Sequence, residues 1–105
     1  MINARDEFLA HIKNTPKVMC AEISYTPAFS DKSVYAELPC GYSEADFQEF
    51  LKTLDFLYDN GYGSQNLYGT IWFYDGSWSD RGEYDGAEWW EYRKAPEIPD
   101  NLKGK

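Results

Sequence analysis

The chain has 105 residues, of which 43% are hydrophobic and 18% aromatic, and a formal net charge of −8. That length builds one domain around one core, and the composition excludes disorder over most of it. An acidic chain with no cluster of Lys or Arg is a poor direct ligand for nucleic acid or for an anionic membrane.

Residues 4–13 read as a short helix. Asn3 is a good N-cap, Asp6 and Glu7 suit the positive end of the helix dipole, and Phe8, Leu9 and Ile12 make an apolar face. Asn14-Thr15-Pro16 ends it. The stretches VMCAEISY (18–25) and SVYAELPC (33–40) then read as a hairpin. Pairing Tyr25 with Val34 puts Met19, Ala21, Ile23, Tyr25, Val34, Ala36, Leu38 and Cys40 on one face. Cys20, Glu22, Ser24, Tyr35, Glu37 and Pro39 fall on the other, so the two cysteines are separated and no disulfide is expected. Phe29, in the loop between the strands, is either tucked down or exposed.

Residues 44–54 form the second helix. Ser43 and Asp46 approximate a capping box, Tyr42 and Phe47 occupy the staple positions, and Phe47, Phe50, Leu51 and Leu54 line one stripe. Residues 55–58 either extend this helix or begin a strand, and DNGYGSQN is a loop of turns. From residue 68 the pattern becomes β. YGTIWFY, SWSDRGEY and AEWWEYR are separated by Asp75-Gly76 and Asp85-Gly86, the strongest short-range hairpin signals. The expected fold is α+β: N-terminal helix, β-hairpin, second helix and three-stranded antiparallel meander. It forms a single compact domain over residues 1–99, with 100–105 as a frayed tail.

Two-residue turns at both Asp-Gly sites pair 74 with 77 and 84 with 87. The core face then collects Ile71, Phe73, Trp78, Gly82, Tyr84, Ala87 and Trp89. The other face collects Trp72, Tyr74, Arg81, Trp90 and Tyr92, the residue types enriched where partners bind. These five are the candidate partner-binding site. The first helix or the N-terminal hairpin packed over them makes Trp90 a second-core residue instead, and a bulged turn in either hairpin swaps the faces.

Catalytic chemistry finds little support. The lone His11 is expected to be a solvated helix residue, and neither cysteine has a basic neighbour to activate it. Two cysteines and one histidine do not make a zinc site. The register opposes Asp80 to Glu91, Glu83 to Glu88 and Glu22 to Glu37, pairs that ordinarily mark a solvated face. No catalytic residue, metal site or cofactor is therefore expected, and the chain is read as a non-enzymatic, protein-binding accessory protein. One alternative is an acidic, nucleic-acid-mimicking inhibitor of a defence enzyme, which requires acids arrayed along one surface. A second is a carbohydrate-binding or carboxylate-based enzyme with a cleft lined by tryptophans and acids.

The segment GTIWFYDGSW…RGEYDGAEWWEYRKAPEIP resembles a group of small uncharacterised proteins encoded by tailed bacteriophages and prophages of gut bacteria. The resemblance covers roughly residues 54–99 and rests on the YDG-x-EWWEY…PEIP pattern. The group has no assigned activity, so it implies context alone: a small protein at work in an infected bacterium. No apolar run approaches the roughly 20 residues that span a bilayer. The N-terminal MINARDEF lacks the basic start and apolar core of a signal peptide. With only two cysteines in the chain, a cytoplasmic location is expected.

Overall fold

Asn3 accepts a hydrogen bond from the Asp6 backbone amide at 3.1 Å and so starts helix α1, Ala4–Ile12. The computed structural model in which this is seen describes residues 1–27 and 32–104, so Phe29 lies outside the described residues. The first strand, β1, is only Ile2–Asn3. Strands β2 (Val18–Tyr25) and β3 (Val34–Leu38) form the expected hairpin, with Tyr25 opposite Val34 and Glu22 opposite Glu37. Helix α2 spans Glu44–Thr53. Its capping box is complete, with Ser43 Oγ accepting from the Asp46 amide at 3.1 Å and Asp46 accepting from the Ser43 amide at 2.9 Å. The Tyr42 and Phe47 rings stack across the staple at 5.8 Å. Replacing Ser43 with Ala removes one half of the box and is expected to cost about 1 kcal/mol, read as a lower urea midpoint with unchanged slope.

Residues 55–58 resolve into a strand: β4, Leu57–Tyr58, pairs antiparallel with β1. Three further strands follow, β5 (Leu67–Phe73), β6 (Trp78–Tyr84) and β7 (Ala87–Arg93). They form the expected meander, but not an independent one. β2 pairs antiparallel with β5, so hairpin and meander fuse into one five-stranded sheet of order β3-β2-β5-β6-β7. Both helices lie on one side of it. Phe8 of α1 and Phe50, Leu51 and Leu54 at α2 pack with Ala21, Ile23, Ala36, Leu38, Ile71 and Phe73 of the sheet in a single core. Phe8 and Phe50 meet edge to face at 5.2 Å.

Two local irregularities correct the expected faces. The β2–β5 register shifts between Val18 and Cys20, so Val18 is buried and Met19 only half-buried. The second correction is larger. Asp85-Gly86 makes the expected two-residue turn, with both residues at positive φ (48° and 89°) and Tyr84 opposite Ala87. Asp75-Gly76 does not. There Gly76 alone has positive φ (87°), its amide reaches the Phe73 carbonyl at 3.1 Å, and Phe73 closes on Ser77 at 3.0 Å. This is a three-residue loop ending in a left-handed glycine. Asp75 favours it by accepting from the Ser77 amide at 2.9 Å and from the Ser77 hydroxyl, bonds that hold the Asp75 carboxyl below its usual range.

The extra residue pairs Trp72 with Trp78 and Thr70 with Asp80, one position away from the expected register. Side chains alternate along a strand, so β6 and β7 present to the helices the faces expected outside, and the reverse. Trp78, Gly82, Tyr84, Ala87 and Trp89, expected in the core, lie on the side away from the helices. Ser77, Ser79, Arg81, Glu88 and Trp90 take the inner side. Residues 94–104 are exposed throughout and form a single 3-10 turn at Asp100–Leu102. Among the described residues no helix is long and apolar enough to cross a membrane.

Candidate functional site: the uncovered face of the sheet

Inside the sheet, the flipped register builds a sealed charge network. The Arg81 side chain is 2% exposed and that of Glu88 1%. Arg81 Nη2 donates to Glu88 Oε1 at 2.9 Å and to the Tyr58 hydroxyl at 2.8 Å, and Nη1 lies 3.3 Å from Glu7 Oε2. Glu88 also accepts the backbone amides of Asn66 (2.8 Å) and Leu67 (3.0 Å), and the Tyr58 hydroxyl donates to Glu7. Burial, above all, pushes the Tyr58 phenol up from its ordinary range. The guanidinium lies 4.9 Å from the Trp90 ring, a cation–π contact beside its Nε, which has no hydrogen-bond partner among the described residues. The network ties α1, β4, β6, β7 and the chain at 66–67 together beneath the sheet. It is too enclosed to meet a ligand.

His11 belongs to this inner layer, not to solvent. Its Nε2 is hydrogen-bonded to Ser79 Oγ at 2.7 Å and its ring stacks on Trp90 at 6.2 Å. Burial, and then the nearby Arg81 charge, lower its pKa from 6.5, with Glu91 opposing weakly. Because the folded state prefers neutral His11, its contribution to stability is complete above pH 6.5 and is lost as pH falls below that value. The urea midpoint of the wild type is therefore expected to fall more steeply than that of His11→Gln below about pH 6.5. Parallel curves would exclude the linkage.

The sequence-derived site is thus divided. Arg81 and Trp90 face each other across β6 and β7 as expected, but on the inner side, where Trp90 is 7% exposed. Tyr92 sits on that same side at its margin, packed on Phe73 at 5.8 Å. Trp72 and Tyr74 stand on the outer side, 37% and 56% exposed, and Lys17 lies 5.5 Å above the Tyr74 ring. The five residues do not form one surface.

A different set does. Reading across β3-β2-β5-β6-β7, the ladders align three rows on the outer face. The first, across β2-β5-β6-β7, is Cys20, Trp72, Trp78 and Arg93. The second is Glu37, Glu22, Thr70, Asp80 and Glu91. The third comes in two segments, Tyr35, Ser24 and Tyr68 across β3-β2-β5 and Gly82 with Trp89 across β6-β7, since the β5–β6 ladder runs only from Trp72–Trp78 to Thr70–Asp80. A line of carboxylates therefore crosses the sheet between two aromatic borders, about 19 Å long at the ~4.8 Å strand spacing. Trp72, Trp89, Tyr35 and Tyr68 are between 37% and 56% exposed. Trp89 lies flat over Gly82, where an added Cβ would meet its indole at 2.5 Å.

Existing bonds orient the acids. Trp89 Nε1 donates to Glu91 at 2.9 Å, the Tyr35 hydroxyl to Glu22 at 3.3 Å, and Arg93 pairs with Asp80 at 2.5 Å. The face holds a depression of about 260 Å³ lined by Tyr35, Tyr68, Glu22, Ser24 and Thr70.

At one end of the face the cysteines correct another expectation. Both are free, yet they are neighbours, because the chain beyond Leu38 turns Cys40 towards Cys20. Burial and then the Cys40 thiol push Cys20 up to about 11, which keeps it protonated and a poor nucleophile at neutral pH. Among the described residues no three His, Cys, Asp or Glu side chains converge as a metal cage.

Sequence reasoning missed Trp78, Trp89, Tyr35 and Tyr68. The hairpin register had already placed Tyr35 beside Glu22 and Glu37. The other three needed the β5–β6 slip and the β2–β5 pairing. Comparison with protein families, curated proteins and solved structures returns no match to this chain.

Proposed function

We propose that the protein is a non-enzymatic binding module that docks a protein partner on the outer face of its sheet. One observation carries this reading: Trp72, Trp78 and Trp89 gather on the one side of the sheet that neither helix covers. A small domain ordinarily spends its tryptophans on its core, and solvent-facing aromatics in contiguous rows are characteristic of interfaces. His11, the one histidine, is committed to Ser79 in the inner layer, on the other side of the sheet from this face.

Capture from lysate tests it. Wild type is expected to retain a partner that the folded Trp72→Ala/Trp89→Ala variant loses by about tenfold or more, since two interface aromatics each contribute roughly 1–2 kcal/mol. Stability is expected to change by less than about 1 kcal/mol, because both rings are already partly in water. Retention by both proteins would move the binding site elsewhere.

The row Glu37–Glu22–Thr70–Asp80–Glu91 favours a second reading, the acidic mimic of nucleic acid, because such a mimic needs its acids in line. The aromatic borders favour the first, since a phosphate imitation has no use for them.

A further inference from the structure

We infer that the partner presents an extended, arginine-bearing segment, which lies across the strands along the carboxylate row. This rests on the outer face being the docking surface and adds the chemistry of what docks there. Three features of the face argue for it.

The first is charge. The row holds Glu22, Glu37, Asp80 and Glu91, and the neighbouring rows supply only Arg93, which is spent on Asp80. No ion pair joins Glu22, Glu37 or Glu91 to any described residue. Glu22 lies directly opposite Glu37, and Asp80 directly opposite Glu91. Like charges so placed repel, at a cost of a few tenths of a kcal/mol per pair. Arg93 already offsets this at Asp80, so it is the Glu22–Glu37 repulsion that a cationic ligand turns into attraction and that a neutral sugar or an apolar helix leaves standing.

The second is the aromatic border. Guanidinium stacks on indole and phenol faces while its edge donates to carboxylates, whereas a lysine ammonium is a more strongly hydrated point charge. Trp72 and Trp78 on one side, and Tyr68 and Trp89 on the other, flank the acids along the row. The chain uses the same contact inside, where Arg81 lies on Trp90 while bound to Glu88.

The third is shape. The depression is lined by Tyr35, Tyr68, Glu22, Ser24 and Thr70, and the Glu22 carboxylate accepts from the Tyr35 hydroxyl at 3.3 Å. Its volume of about 260 Å³ admits one long side chain, not a folded element. An extended segment can insert one arginine there and lay others along the row.

The test titrates fluorescein-labelled octa-arginine, octa-lysine and a neutral Gly-Ser octapeptide into the protein at 0.15 M salt, read by anisotropy. Three proteins are compared: wild type, Glu22→Gln/Glu37→Gln, and Glu97→Gln/Asp100→Asn. The last removes the same charge from the exposed C-terminal segment. Octa-arginine is expected to bind wild type more tightly than octa-lysine, and the neutral peptide not at all. The row variant is expected to lose about tenfold in affinity and the distal variant less than about twofold.

Equal losses in the two variants would reduce the binding to general charge and overturn the inference. So would failure of octa-arginine to bind wild type. In that case, a captured partner still lost by Trp72→Ala/Trp89→Ala would leave the docking face standing and refute only its cationic ligand. If folded nucleic-acid-binding proteins bind the row while octa-arginine does not, the occupant is a folded basic surface, and the extended segment is refuted in favour of mimicry.

Discussion

Arg81→Leu is expected to destabilise the fold by about 3–5 kcal/mol, although its position in the sequence marks it as a binding residue. The substitution leaves Glu88 and Glu7, with side chains 1% and 11% exposed, facing each other in a sealed layer without their cation. An unpaired buried charge is far more costly than the net worth of the pair that it came from. The loss should therefore shrink when a carboxylate is removed too. Arg81→Leu/Glu88→Gln is expected to be more stable than the sum of its single variants by about 1–3 kcal/mol, a coupling that only neighbours show. Gln still offers one oxygen to the Asn66 and Leu67 amides, so the backbone there is not left wholly unpaired. Urea unfolding of the three variants measures this. A cost below about 1 kcal/mol for Arg81→Leu would mean that the network does not hold the layer together. The folded fraction of Arg81→Leu should still bind through the outer face, because the guanidinium lies on the other side of the sheet.

That reversal shows where local sequence signals stopped. The capping box at Ser43, the stripe from Phe47 to Leu54 and the Tyr25–Val34 register are set by residues close in sequence, and each was legible. So was the Asp85-Gly86 turn. Asp75-Gly76 carries the same dipeptide and closes differently: Asp75 accepts from both the amide and the hydroxyl of Ser77, and Ala87, which follows Asp85-Gly86, has an amide but no hydroxyl. One hydroxyl-bearing residue thus decided which faces of β6 and β7 meet the helices. It exchanged Trp90 for Trp89 at the outer surface, and the candidate site changed with it. The pairing of β2 with β5 and the bond from His11 to a serine 68 positions away have no local signature. The nearest hint is a glycine inside a strand, which marks close backbone approach.

Gly69 is that glycine, and Gly69→Ala is expected to cost at least the ~1–3 kcal/mol of an overpacked core, Gly69→Val more. Gly69 sits opposite Ile23, and a Cβ there would lie 2.5 Å from the Glu22 carbonyl oxygen and 3.0 Å from the Ile23 Cα. Those are backbone atoms of the neighbouring strand, so relief requires β2 and β5 to separate at the middle of the sheet. Gly82→Ala provides the contrast. The three atoms nearest its Cβ all belong to the Trp89 indole, a half-exposed side chain that can swing away into solvent, and the expected cost is under about 1 kcal/mol.

The two variants should also differ in binding. Moving β2 displaces Glu22 and Tyr35 from Thr70 and Tyr68, which breaks the carboxylate row and opens the depression between the two tyrosines. Gly69→Ala is therefore expected to weaken octa-arginine binding even per folded molecule, measured at a temperature where the variant is fully native. Gly82→Ala should disturb only the Trp89 end of the row. If Gly69→Ala is as stable as wild type, β2 and β5 do not pair as described. Hairpin and meander would then no longer share a face, and the carboxylate row across their junction would not exist.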